Sequence, residues 1–116
     1  MAIERLDSAF ADAQPSGEDL TGKEMLCATR NSDKELVVAG ASEIVAGIIQ
    51  EGKTAGLSST ISRGPICKVI AGEALAAGVK VESNSAGKAV AGSTTPFGTT
   101  RTSTGAADEI VEVAMD

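Results

Sequence analysis

Two short patterns in this chain have the spacing of catalytic or ligand-binding motifs. Gly47-Ile48-Ile49-Gln50-Glu51-Gly52-Lys53-Thr54 fits the phosphate-loop pattern, in which glycines let backbone amides cradle phosphates and a lysine reaches their oxygens. Ser85-Ala86-Gly87-Lys88 fits the Ser-x-x-Lys spacing of acyl-serine enzymes. Neither pattern has its context. A phosphate loop opens a helix whose N-terminal amides face the anion, yet Ala55-Gly56-Leu57-Ser58-Ser59-Thr60-Ile61 follows here and Gly64-Pro65 breaks it. Ser85 and Lys88 fall in a turn, with no partner motif elsewhere. A strand ending in a Glu-Gly-Lys turn is the better reading of the first pattern, and the enzyme reading stays only as an alternative.

The residue types that are missing narrow the chemistry further. The chain has no His, so it lacks an imidazole base, a Ser-His-Asp or Cys-His pair, and the usual zinc and haem ligand sets. No metal and no cofactor are expected. With no Trp or Tyr there is no aromatic platform for bases or sugars. A net charge of −6 opposes nucleic acid and anionic membranes, and no apolar run approaches a membrane span. Met1 to Phe10 does not read as a signal peptide, so synthesis and assembly in the cytoplasm are expected. Cys27 and Cys67 each sit in an apolar segment and read as small buried thiols, with a disulfide as the alternative. Glu109 and Glu112 have no polar neighbour in sequence that would tune them for acid–base work, so an acidic solvated or partner-facing strand is expected there. The Ser/Thr-rich stretch 93–104 suits strand faces and loops, and also admits a carbohydrate-binding loop.

The elements that would position these groups follow from composition. Of 116 residues, 53 are Ala, Gly, Ser or Thr, and the only aromatics are two Phe, so the core must be thin. Residues 1–20 carry −4, as do the last nine, which leaves the middle at +2. Pro15, Ser16 and Gly17 close off the first segment, which reads as an N-terminal arm over 1–19 ahead of a β domain over 20–116. In the arm, Ile3, Leu6 and Phe10 form an apolar stripe too short to hold a helix alone. The arm is expected to dock on the chain's own domain or a partner, with residues 1–16 loosely held until then.

From Gly40 to Gly105 glycines recur every four to nine residues, which suits short strands and tight turns and leaves no room for an ordinary helix. The pattern predicts strands over 24–29, 35–39, 43–50, 57–62, 65–70, 79–82, 88–91, 97–101 and 109–115. In the last of these Val111, Val113 and Met115 share a face. Only 72–78 has helical character, a turn or so. The fold class expected is all-β, a small β-sandwich or barrel-like domain of short strands with an extended N-terminal arm.

The order of the small-residue patterns resembles one family. Ile66 to Val81, with its Ala71-Gly72 and Ala77-Gly78 turns, is followed by Asn84-Ser85-Ala86-Gly87-Lys88-Ala89-Val90, then Phe97-Gly98-Thr99-Thr100, then Ala106 to Val113. With Glu43 to Gly52 ahead of it, this succession is similar to the small capsid decoration (cement) proteins of tailed bacteriophages, in particular the DUF2190-type group. The likeness covers about residues 43–115. Two departures stand out: Val79 replaces the family's usual aspartate, and Phe97 to Arg101 is more polar than the family's strand. The resemblance implies a β-tulip-type domain in a virion structural protein without catalysis. It implies a location on the outer surface of the mature capsid, where the protein would bridge and stabilise neighbouring major capsid protein subunits. It also implies a homotrimer; composition alone says that open sheet edges and a thin core make a lone monomer marginal. On this reading the capsid-binding candidates are Ile3, Leu6 and Phe10 in the arm and Glu109 and Glu112 in the closing strand. The alternative of another class is a carbohydrate- or host-surface-binding head module built on the 93–104 loop.

Overall fold

The computed structural model describes residues 11–116. They form ten strands: β1 (Ala11–Pro15), β2 (Cys27–Arg30), β3 (Leu36–Val38), β4 (Gly47–Glu51), β5 (Ser58–Ser62), β6 (Ile66–Ile70), β7 (Lys80–Ser83), β8 (Ala89–Ala91), β9 (Gly98–Thr100) and β10 (Ile110–Met115). Two five-stranded sheets result, ordered β1-β5-β4-β2-β3 and β6-β10-β9-β7-β8, with every pairing between strands antiparallel. The expected all-β class is what the chain adopts. The chain passes from the first sheet to the second once, at the corner Arg63-Gly64-Pro65, which holds a cis Gly64–Pro65 peptide.

Each sheet curls until its two edges meet. Ser16, at the end of β1, bridges Leu36 of β3 in parallel, with Gly17 N–H donating to the Leu36 carbonyl at 2.7 Å. In the second sheet Ala71, just past β6, bridges Ala89 of β8, and Gly72 N–H reaches the Ala89 carbonyl at 2.7 Å. Much of the edge hazard of short open sheets is thereby met within the chain. Open edges, one premise of the expected trimer, are thus largely absent at these two seams.

The curled sheets enclose two cores. Leu20, Leu26, Ala28, Leu36, Ile49 and Ile61 fill the first sheet. Val69, Ala71, Leu75, Val81, Phe97, Val111 and Val113 fill the second, joined by Cys27, Ala39 and Ile48 from the first. Successive residues of a strand point to opposite faces, so Cys27 and Ile48, paired across β2 and β4, enter one core while Ala28 and Ile49 enter the other. A strand covered on both faces needs apolar residues at every position, as Gly47-Ile48-Ile49 supplies. Gly47 itself has no room for a side chain: a Cβ there would lie 2.9 Å from Ile61 Cδ1 and from the Ser62 carbonyl oxygen.

Two expectations change. Residues 11–19 belong to the domain rather than to a loose arm, because Ala11–Pro15 pairs along β5, Ser16 is buried and the Arg30 guanidinium donates to Gln14 Oε1 at 2.6 Å. The stretch 72–78 is not helical: Leu75 and Thr104 exchange backbone hydrogen bonds of 3.1 and 2.8 Å, which removes the groups a helical turn would use.

Gly52 tests this packing. A Cβ there would lie 1.8 Å from the Leu20 carbonyl oxygen, which is backbone and cannot swing away. Gly52→Ala is expected to cost about 2–4 kcal/mol in urea denaturation, the range of a core overpacking that must displace main chain. Thr54→Ala, on an exposed turn, is expected to fall within about 0.5 kcal/mol of wild type.

Candidate functional site

The phosphate-loop spacing falls on a strand and its exit turn. Its first five residues are β4, and no helix follows among the described residues. The amides that would face a phosphate are already committed: Gly52 N–H donates to Glu24 Oε2 at 2.9 Å and Lys53 N–H to Ser59 Oγ at 2.9 Å. Ser59 is buried and hydrogen-bonded to Ser16 Oγ at 2.5 Å, while Ser16 Oγ also reaches the Leu57 carbonyl at 2.7 Å. This polar chain seals β1 onto the domain. Ser85 and Lys88 lie in a turn organised by Asn84, whose Oδ1 accepts from Ala86 N–H and Lys88 N–H at 2.8 and 2.9 Å. The Lys88 ammonium is held 2.5 Å from Asp108 Oδ1, away from any serine nucleophile role.

The Ser/Thr-rich stretch works for the fold. Buried Thr100 accepts from Val79 N–H at 3.0 Å and donates to the Ala76 carbonyl at 2.7 Å. Thr104 Oγ1 accepts from Leu75 N–H at 3.0 Å and lies 3.2 Å from the Glu73 carbonyl. Thr102 Oγ1 accepts from Glu112 N–H at 3.1 Å. Three of the hydroxyls that a sugar would need are therefore engaged with backbone.

The capsid-binding candidates separate. Ile3, Leu6 and Phe10 lie outside the described residues. Glu109 precedes β10, is exposed, and its Oε1 caps the Gly105 N–H at 2.7 Å. Glu112 lies on β10 opposite Lys68 of β6, on the face turned away from the second core that also carries Ile66, Ile110 and Ala114, and Ile70, which packs against the first core. Glu109 and Glu112 thus do not form one acidic patch: the first holds a turn, and the second faces a lysine.

Both cysteines are buried and free, as the thiol reading expects. Burial pushes the Cys27 thiol up to about 12, partly offset by a hydrogen bond with Ser83. Among the described residues no group of three or more His, Cys, Asp or Glu could hold a metal ion. No helix among them is long and apolar enough to cross a membrane.

One feature has no single-motif signal. A cleft of about 500 Å³ opens between the two sheets, lined by Glu24, Met25, Ile48, Gln50, Ser62 and Ile66 among others. A smaller cleft of about 230 Å³ at the other end of the corner is lined by Ile44, Arg63, Pro96, Phe97 and Met115. Ile44 is 76% exposed, Leu57 58% and Ile110 51%, so the molecule presents several large apolar residues to its surroundings.

Two measurements check these assignments. Thr100→Val, which leaves the Val79 N–H without its acceptor, is expected to cost about 1–3 kcal/mol of stability. Because the folded Cys27 pKa is raised above that of an unfolded thiol, its contribution to stability is whole below pH ~9 and is lost as pH rises from there through about 12. Native protein should accordingly leave Cys27 unalkylated at pH 8 and react at that position only on unfolding.

No protein-family model matches the chain, and no curated protein sequence does. Among solved structures, the N-terminal base of the head fibre protein gp8.5 of bacteriophage phi29 is similar to this chain, with a TM-score of 0.71 at 17% identity. The match covers 91% of this chain and 92% of that one. The two share a fold.

Proposed function

We propose that this chain is a non-enzymatic structural protein of a bacteriophage head that attaches to the outer surface of the mature capsid. It would bridge and stabilise neighbouring major capsid protein subunits, acting as a homotrimer. The observation that carries the reading is the fold held in common with a phage head fibre base over nine-tenths of both chains. The ordered likeness of residues 43–115 to capsid decoration proteins supports it independently. So does the surface: Ile44, Leu57 and Ile110 are apolar side chains available to a shell or to a second subunit. A bridging protein needs many modest contacts made avid by repetition, and no single dominant residue.

Within this reading the arm residues Ile3, Leu6 and Phe10 are apolar anchors, each contributing at most about 1.5–3 kcal/mol of transfer free energy before the cost of ordering. The competing anchor is acidic, with Glu109 and Glu112 against a basic patch on the shell. The Glu109 contact to Gly105 and the position of Lys68 opposite Glu112 favour the apolar version.

Salt separates the two, since screening weakens exposed charge pairs and leaves apolar contacts largely intact. In co-sedimentation with expanded shells of its own phage, wild type is expected to bind at both low and high salt and to ignore unexpanded precursors. Ile3→Ser/Leu6→Ser/Phe10→Ser should lose binding, and Glu109→Gln/Glu112→Gln should keep it. Failure of wild type to bind its own expanded shells at any salt concentration would refute the reading.

A further inference from the structure

The second sheet repeats the first strand for strand. Replacing each strand of the order β1-β5-β4-β2-β3 by the strand five later gives β6-β10-β9-β7-β8, the order of the second sheet. The registers repeat as well. Ala11 and Ile66 lie opposite Ser62 and Ala114, while Ala28 and Val81 lie opposite Gly47 and Gly98. Gly47 and Gly98 are closed in by matching neighbours. A Cβ on Gly98 would lie 2.5 Å from the Ala114 carbonyl oxygen and from Val113 Cγ1, as one on Gly47 would crowd the Ser62 carbonyl oxygen and Ile61.

Each sheet is also shut by the same polar clasp. Gly17-Glu18-Asp19-Leu20 follows β1 and Gly72-Glu73-Ala74-Leu75 follows β6, and Leu20 and Leu75 are each buried in the core of their own sheet. The glycine N–H donates across the seam, to the Leu36 or the Ala89 carbonyl. The glutamate then accepts the N–H two residues further along the facing strand: Glu18 Oε2 from Val38 at 3.0 Å, and Glu73 Oε2 from Ala91 at 2.9 Å. The turn ahead of that strand is built alike. Asn31 Oδ1 accepts from the Asp33 and Glu35 amides at 3.0 and 2.9 Å, as Asn84 Oδ1 does from those of Ala86 and Lys88. The fourth residue of each turn is left-handed, Lys34 at φ 62° and Gly87 at φ 79°. Both seam glycines abut the turn asparagine: a Cβ would lie 2.7 Å from Asn31 Nδ2 at Gly17 and 2.6 Å from Asn84 Nδ2 at Gly72.

We propose that the domain is an internal duplication, in which residues 11–62 and 66–116 are two copies of one five-stranded fold, and that Glu18 and Glu73 are its equivalent clasp residues. Each carboxylate takes an N–H that the terminal strand, β3 or β8, turns away from its sheet and would otherwise offer to another chain. The copies differ where stacking requires it. Cys27 and Ile48, whose side chains enter the second core, correspond to exposed Lys80 and half-buried Thr99, which belong to neither core. The wall of the first copy thus covers the second, and the second copy's own wall ends the stack on polar residues, as a terminal repeat does. The proposal concerns the architecture and does not depend on the proposed function.

The test is amide hydrogen exchange of the full chain and its variants. In Glu18→Ala the Val38 amide is expected to exchange about tenfold faster or more while Ala91 keeps its wild-type rate, and Glu73→Ala should do the reverse. Glu18→Gln and Glu73→Gln, which retain an acceptor oxygen, should restore protection to within about threefold of wild type. Interchangeability of the copies is read from Asp33→Ala/Lys34→Gly/Glu35→Lys, which writes the second turn into the first. This graft should fold, with Gly17 and Val38 protected as in wild type and Ile61 and Val111 reporting both cores intact. A graft that unfolds or loses protection at Gly17 and Val38 would overturn the proposal. So would either Ala variant acting at the opposite seam or at neither, or a Gln variant behaving as its Ala counterpart does.

Discussion

The whole structure depends on one wall with two buried faces. Along Cys27-Ala28 and Ile48-Ile49, neighbouring side chains leave in opposite directions, and each direction ends in a core. Without the second sheet, Cys27 and Ile48 would be apolar residues on an outer surface; without the curl of the first, Ala28 and Ile49 would be. Neither core is large enough to be generous. Six buried residues fill one, and the twelve of the other include three alanines and two cysteines. The small side chains that dominate the sequence are what let two sheets curl so tightly, as Gly47 against Ile61 and Gly52 against the Leu20 carbonyl illustrate.

Polar groups complete what apolar area leaves undone. The Ser16–Ser59 pair and the Lys53 amide close the first sheet where β1 meets β5. Thr100 and Thr104 tie the irregular 72–79 segment to the second sheet through backbone groups that would otherwise be buried without partners. Among the described residues no buried side-chain nitrogen or oxygen lacks a partner. A threonine-rich stretch in such a chain therefore reads first as fastening, which is why its abundance near 93–104 carries little information about a ligand.

Much of this was legible from residues alone. Nine of the ten strands lie where alternation and glycine punctuation put them, and β10 shows the expected inward Val111 and Val113. The tenth, β1, was not legible: Ala11-Asp12-Ala13-Gln14-Pro15 has no β-branched or aromatic residue and ends in proline, so only its tertiary partner β5 makes it a strand. Division into two cores was equally hidden, since a strand buried on both faces reads as an apolar run whichever cores receive it. At the candidate sites, the phosphate-loop and Ser-x-x-Lys spacings could be set aside from context. The turn-capping role of Glu109 and the placement of Lys68 opposite Glu112 required the fold, because they join residues from different strands and turns. The cleft beside β6 belongs to no segment and has no linear signature.

The shared wall makes the two sheets one cooperative unit. Native-state hydrogen exchange on Ile49→Ala, a change confined to the first core, measures this directly. Such a unit requires Val111 and Val113 in the second sheet to lose as much protection as Ile61 in the first, about 2–5 kcal/mol each. Loss of protection at Ile61 with Val111 and Val113 unchanged would contradict it and would make the two sheets independent folding units.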